Sequence, residues 1–452
     1  MPTSAVSDCA PTFEPPQVEA IIFARWIVPV APANVVLEHH ALVISEGCIA
    51  AIIPAAQAET IAATQIFRLD RHALMPGLVN AHGRAPMALL RGYIEDLPLE
   101  RGPHDPISPT ESKWVSEDFV RDGTRLAIAK MLRSGTTCFA ATYFFPEVIA
   151  QTAHELGMRA QTYFPVLDLP SAWGQSADDY IHKGLQLRDS FKHSSLISIG
   201  FGPYAPHTAS DATLSHLATL AAELDAPVQI HVHETLQEVD EALAANGERP
   251  LARLQRLGLL GPRTSCVHAT ALDADDIALL DRNNCHVVHC PQSDPQQARG
   301  LCPVEALRDA GINVALGIDG ADSNNDLDLF GALRAATLLA SVVAGKTASM
   351  PAHAALAMAT LDGAKALGLD DCIGSLEIGK FADVIAIDMA AIEVQPVFDL
   401  QSRLVHSSSG SRVTHSWING RLMLENRQTT TINLSELGAT ALAWQHRIGG
   451  TP

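Results

Sequence analysis

Four places in this chain carry side chains that could hold a metal and move protons: His82, the run His231-Val232-His233-Glu234, His268 and Asp319. Imidazole nitrogens and a carboxylate suit a divalent cation such as zinc with one position left open for water. Each of the four closes a short apolar run, and a barrel of parallel strands gathers such ends at one mouth. A lone histidine at a strand end is more often a hydrogen-bonded structural residue. The coincidence of four such ends is what points to a site. Cys285, His286, His289 and Cys290 also have ligand chemistry, but a continuous strand sends neighbours to opposite faces. Arg84 complicates the picture, because it lies two residues after His82 and should point the same way. Guanidinium is permanently charged and has no lone pair for a metal. At roughly 5 Å, in an effective dielectric near ~20, it would repel a dication by about 7 kcal/mol. The alternative is that Arg84 pairs with Asp319 and stands in for the cation.

The elements that must position these residues alternate. Apolar runs at 77–82, 136–143, 161–167, 197–204, 227–234, 264–270, 285–291 and 313–320 are separated by helix-like stretches such as 117–133, 211–224, 237–257 and 328–343. Eight strands alternating with helices predict an α/β fold, a (β/α)8 TIM-like barrel. A doubly wound open sheet fits less well, because no Gly-rich phosphate fingerprint follows the first strand. The flanks read as short strands at 19–30, 41–45, 49–53, 383–388, 413–419 and 421–424, with Asn419-Gly420 marking a hairpin. The expected organisation is a flexible tail over 1–16, a small β-sandwich domain built from 17–74 plus 376–452, and the barrel over 75–375.

Composition narrows the partners. Hydrophobic residues make up 47% of the 452, which describes a chain with a large core. The net charge of −19 argues against nucleic acid and anionic membranes. No apolar run spans a bilayer, and the N-terminus lacks the pattern of a signal peptide. The eight cysteines are scattered, several inside apolar runs, which suits reduced thiols in a cytoplasmic protein.

Longer stretches carry a resemblance. They are Met75-Pro76-Gly77-Leu78-Val79-Asn80-Ala81-His82, Ser134-Gly135-Thr136-Thr137-Cys138, His231-Val232-His233-Glu234-Thr235, His289-Cys290-Pro291, Asp319-Gly320-Ala321-Asp322-Ser323-Asn324-Asn325-Asp326 and Gly374-Ser375-Leu376-Glu377-Ile378-Gly379-Lys380-Phe381-Ala382-Asp383. Over nearly its whole length the chain resembles the amidohydrolase superfamily, and within it the 5-methylthioadenosine/S-adenosylhomocysteine deaminases and related aminopurine deaminases. The resemblance implies metal-dependent hydrolytic deamination of a small heterocycle. His82, His231 and Asp319 would bind zinc or another divalent metal, Asp319 would accept the water's proton, Glu234 would pass a proton to the ring nitrogen, and His268 would polarise the water or the developing alkoxide. Similar proteins are often dimers, but no interface is legible here.

The departures cluster near the expected site. Arg84 stands where the family has a second histidine, so the metal could be absent. The segment 100–109 lacks the family's Trp- and His-containing loop, and Ala140-Ala141-Thr142 replaces a stretch with an aspartate. Pro203-Tyr204-Ala205-Pro206-His207 exchanges the usual aromatic and histidine, and Ser293-Asp294-Pro295-Gln296-Gln297 replaces Ser-Asn-Leu-Lys-Leu. Arg84, Ala141 and His207 are the residues expected to alter the site. Two readings stand beside the deaminase: a catalytically silent homologue that binds a ligand or partner, and a hydrolase with a changed substrate.

Overall fold

The structure, a computed structural model, describes residues 18–93, 109–320, 326–347 and 349–450. The tail 1–16, the loop 100–109 up to residue 108 and residues 321–325 lie outside the described residues.

All eight expected barrel strands are present: Leu78–Asn80, Thr136–Thr142, Arg159–Val166, Ile197–Pro203, Val228–Val232, Thr264–His268, His286–His289 and Asn313–Leu316. They pair in parallel and in sequence order. The last returns to the first through a Gly83–Asp319 bridge and hydrogen bonds from the backbone N–H groups of Ile318 and Asp319 to the His82 carbonyl. Asn80 pins this closure, its Oδ1 accepting from the Ile318 N–H at 3.1 Å. Gly317 makes the approach possible, since a Cβ there would sit 3.0 Å from the His82 Cβ and 2.9 Å from Val288. Alternation sorts the strand residues. Val79, Cys138, Ala140 and Tyr163 belong to one core cluster, and Ala81, Val267, Val288 and Ala315 to another. Phe139, Ala141 and Ile230 join the large cluster shared with the helices.

The chain ends build one eight-stranded sheet, in which Ala63–Pro76 pairs with Val18–Ile27 on one side and with Val384–Asp388 on the other. Ala63–Pro76 was not among the expected strands, and it runs straight into the barrel's first strand. Its first ten residues are mostly exposed, with Thr64, Gln65, Arg68, Asp70, Arg71 and His72 interrupting the apolar ones, which hides the alternation. Two further differences follow from local chemistry. The stretch 237–257 is two helices, Leu236–Asn246 and Pro250–Arg256, because Gly247 caps the first in the left-handed region and Pro250 starts the second. A terminal helix, Leu434–Gly449, completes the described chain. Among the described residues no helix is long and apolar enough to cross a membrane.

Candidate metal and proton-transfer site

The chemistry gathers at the strand ends, with His231 still inside Val228–Val232. His82, His233, Glu234 and Asp319 lie just past strand ends, and His268 is the last strand residue. His268 and Asp319 have positive φ, 73° and 66°. A non-glycine residue in that region costs about 1–3 kcal/mol. The sharp turns present both side chains at the mouth, and such strain persists where the surroundings over-determine it.

Hydrogen bonds fix the imidazole tautomers. The Gln229 amide donates to the Ala81 carbonyl at 2.9 Å, so its Oε1 faces the His82 Nδ1 at 2.6 Å and also accepts from Thr142. The Nδ1 of His82 therefore carries hydrogen. His231 Nδ1 lies 2.7 Å from the Tyr204 carbonyl and must donate as well. The two Nε2 atoms then face each other across 3.2 Å, and the His82 Nε2 is 3.5 Å from the Asp319 Oδ1. Burial and the neighbouring imidazoles push His231 well below the ordinary histidine range, so it offers a lone pair. Facing lone pairs in a buried site call for a cation between them. Ligands at about 2.0–2.1 Å around a tetrahedral zinc stand about 3.4 Å apart, which matches the two sides at His82, and all three donor atoms lie within 4.8 Å of one another. An imidazole whose outer nitrogen donates to a carbonyl oxygen is also how ligating histidines are usually held. His82, His231 and Asp319 fit a divalent metal, and all three are buried.

The proton-handling residues flank the triangle. His268 stacks on His231 at 5.3 Å and 20°, and its Nδ1 donates to the Asp294 Oδ1 at 2.7 Å. Burial alone would lower His268, but the Asp294 and Glu234 carboxylates together outweigh it and raise the imidazole. The His268 Nε2 is 3.6 Å from the Glu234 Oε1. Burial would raise the Glu234 carboxyl, but the Arg299 guanidinium and His268 hold it below its usual value.

Arg84 does reach the site. Its Nε is 3.4 Å from the Asp319 Oδ1, and its Nη2 donates to the Tyr204 hydroxyl at 3.0 Å. The pairing expected for a guanidinium standing in for the cation is thus present beside the three donors. Ala141 instead packs in the barrel–helix core, and it is Thr142 that turns inward to Gln229. His207 is exposed on the short turn Pro206–Thr208, while Tyr204 is the residue that meets Arg84 and His231. His233 points away, its Nε2 accepting from the Leu251 N–H. Burial pushes His289 down to about 4, leaving it neutral. Sequence reasoning missed Gln229, Tyr204 and Arg299. Arg299 Nε lies 2.7 Å from the Glu234 Oε1, and its Nη1 lies 3.1 Å from the Asp319 Oδ2. The altered segment 293–297 just before it was the available signal.

The amidohydrolase family model matches residues 73–423. The chain belongs to the amidohydrolase family. The 5-methylthioadenosine/S-adenosylhomocysteine deaminase of Teredinibacter turnerae is 49% identical over 427 residues, covering 94% of this chain and 97% of the relative. That of Saccharophagus degradans is 48% identical over 431 residues, with 95% and 97% covered. A zinc-bound adenosine deaminase from Xanthomonas campestris superposes with a TM-score of 0.94 at 43% identity, over 97% of this chain and 100% of that one. A zinc complex of atrazine chlorohydrolase from Arthrobacter aurescens, with a TM-score of 0.85 at 20% identity, shares the fold.

Proposed function

We propose that this chain hydrolyses the exocyclic amino group of an aminopurine nucleoside and releases ammonia. The observation that carries this is the buried His82–His231–Asp319 triangle with Glu234 and His268 beside it. The named activities of the most similar relatives supply the substrate class, a 5-methylthioadenosine- or S-adenosylhomocysteine-like nucleoside.

His82, His231 and Asp319 would hold the metal. When bound, a divalent cation acts as a Lewis acid and brings its water's pKa toward about 7. The protein's own groups do the rest. Asp319, kept ionised by the surrounding guanidinium and imidazole groups against the cost of burial, is placed to accept a proton from the attacking water. Glu234 starts ionised, so it can take up that proton and deliver it to the ring nitrogen beside the attacked carbon. His268, fixed by Asp294, directs its Nε2 into the mouth, where it can orient the water or meet the developing alkoxide. Asp319 then takes the remaining proton from the new hydroxyl and passes it to the amino group, and collapse of the tetrahedral carbon breaks the C–N bond and expels ammonia. The described cysteines are all free thiols, which supports a cytoplasmic setting.

The test is ammonia release from 5-methylthioadenosine, S-adenosylhomocysteine and adenosine by the zinc-supplemented protein. Turnover of at least one is expected, and Glu234→Gln should lower it by about 10²–10⁴-fold. No ammonia from any of them with zinc bound would contradict the proposal.

A further inference from the structure

The site contains a second buried cation. Arg299 is 7% exposed at its side chain and spans both reacting carboxylates, with Nε on the Glu234 Oε1 at 2.7 Å and Nη1 on the Asp319 Oδ2 at 3.1 Å. Ser293 braces it, donating to the same Asp319 oxygen at 2.8 Å and accepting from Arg299 at 3.1 Å. Arg84 takes the other Asp319 oxygen at 3.4 Å. Each oxygen of Asp319 therefore faces its own guanidinium. Asp294 lies 3.7 Å from Arg299 and accepts from the His268 Nδ1 at 2.7 Å, so a third buried carboxylate stands behind Arg299 without touching the triangle's own donors.

The charges decide what this means. A site of two carboxylates and neutral imidazoles is balanced by one dication. Here Asp319 and Glu234 already face two guanidinium groups. Both arginines are almost fully buried, so solvent screens them little. Arginine suits the task because its rigid fork can bridge two carboxylates, which a lysine point charge cannot.

We propose that Arg84 and Arg299 form a clamp on Asp319 and Glu234 that supplies the charge of the dication to these two carboxylates, so that both are paired without metal. Zinc then binds weakly and reversibly, and loading requires the clamp to loosen its hold on Asp319. The inference rests on the metal reading of the His82–His231–Asp319 triangle proposed above. It also makes metal loading a control point, since release of Glu234 from Arg299 accompanies it.

The experiment is a zinc titration against a competing chromophoric chelator. It compares the natural full-length protein with Arg84→His, Arg299→Ser and Arg299→Gln. Arg299→Ser is decisive, because it adds no ligand and only removes charge. Tightening of at least about tenfold is expected for each Arg299 variant. Arg84→His should tighten further, since it adds a donor as well. Arg299→Gln keeps a neutral donor of similar length, so it reports even if the serine variant folds poorly. Zinc affinity in both Arg299 variants no higher than in the natural protein would overturn the clamp. Ammonia assays on the same zinc-loaded samples separate the two proposals. Tighter zinc without ammonia from any nucleoside overturns the deaminase reading and leaves the clamp standing; ammonia release at unchanged zinc affinity overturns the clamp alone.

Discussion

At the scale of single residues, the site was legible where chemistry coincides with a strand end. His82, His231, His268 and Asp319 each close an apolar run, and the structure brings their side chains within contact of one another. Arg84 was legible by alternation. Arg299 was not, because it follows a four-residue helix, Ser293–Gln296, whose direction no periodicity encodes. Ala141 and His207, expected to alter the site, have side chains whose direction alternation alone does not give. Ala141 sits on the helix-facing side of its strand, and alternation lapses after Pro203, where the strand ends and the chain turns. Burial acts on titration elsewhere too. His415 stacks on Trp417 at 5.7 Å, close to His72, and burial pushes its pKa down to about 4. The unfolded histidine binds its proton near 6.5, so between pH 6.5 and 4 the unfolded state holds more protons and stability falls as pH falls. His415→Phe should remove a slope of up to about 3 kcal/mol across that window. Urea denaturation at pH 7 and pH 4.5 measures it. An unchanged difference between the two pH values would place the slope on other groups.

At the scale of elements, all eight barrel strands were legible because their apolar runs are short and regularly spaced. The Ala63–Pro76 strand was not, since Gln65, Arg68, Asp70 and Arg71 break its pattern on the exposed half. The junction of sheet and barrel carries a buried ion pair that sequence could not reveal, because its partners are 224 residues apart. Arg159 Nε donates to the Asp383 Oδ2 at 2.8 Å, and both side chains are almost completely buried. Asp383 also accepts from the Asn419 N–H at 2.8 Å, tying in the hairpin. Removing the carboxylate would strand a buried guanidinium. Asp383→Ala should therefore cost about 3–5 kcal/mol of folding stability, read from the midpoint of chemical denaturation. A loss under about 1 kcal/mol would show that the pair behaves as an exposed one.

At the scale of the whole molecule, the chain is a barrel whose mouth holds His82, His231 and Asp319 beside the two buried guanidinium groups of Arg84 and Arg299. We propose that 75–375 and the combined segments 17–74 and 376–452 act as its two units. The long Ala63–Pro76 strand, leading directly into Leu78–Asn80, couples them mechanically. The fold was readable because the (β/α)8 pattern repeats along the sequence. The balance of charge at the mouth was not, because it depends on which loops converge after folding. The most direct test of the account is anomalous diffraction at the zinc edge from crystals soaked in zinc. The account predicts one peak at the barrel mouth, bounded by the Nε2 atoms of His82 and His231 and by the Asp319 carboxylate, with Arg299 drawn off Asp319. No peak there at saturating zinc, with Asp319 still held by Arg84 and Arg299, would contradict the claim that this triangle is a metal site.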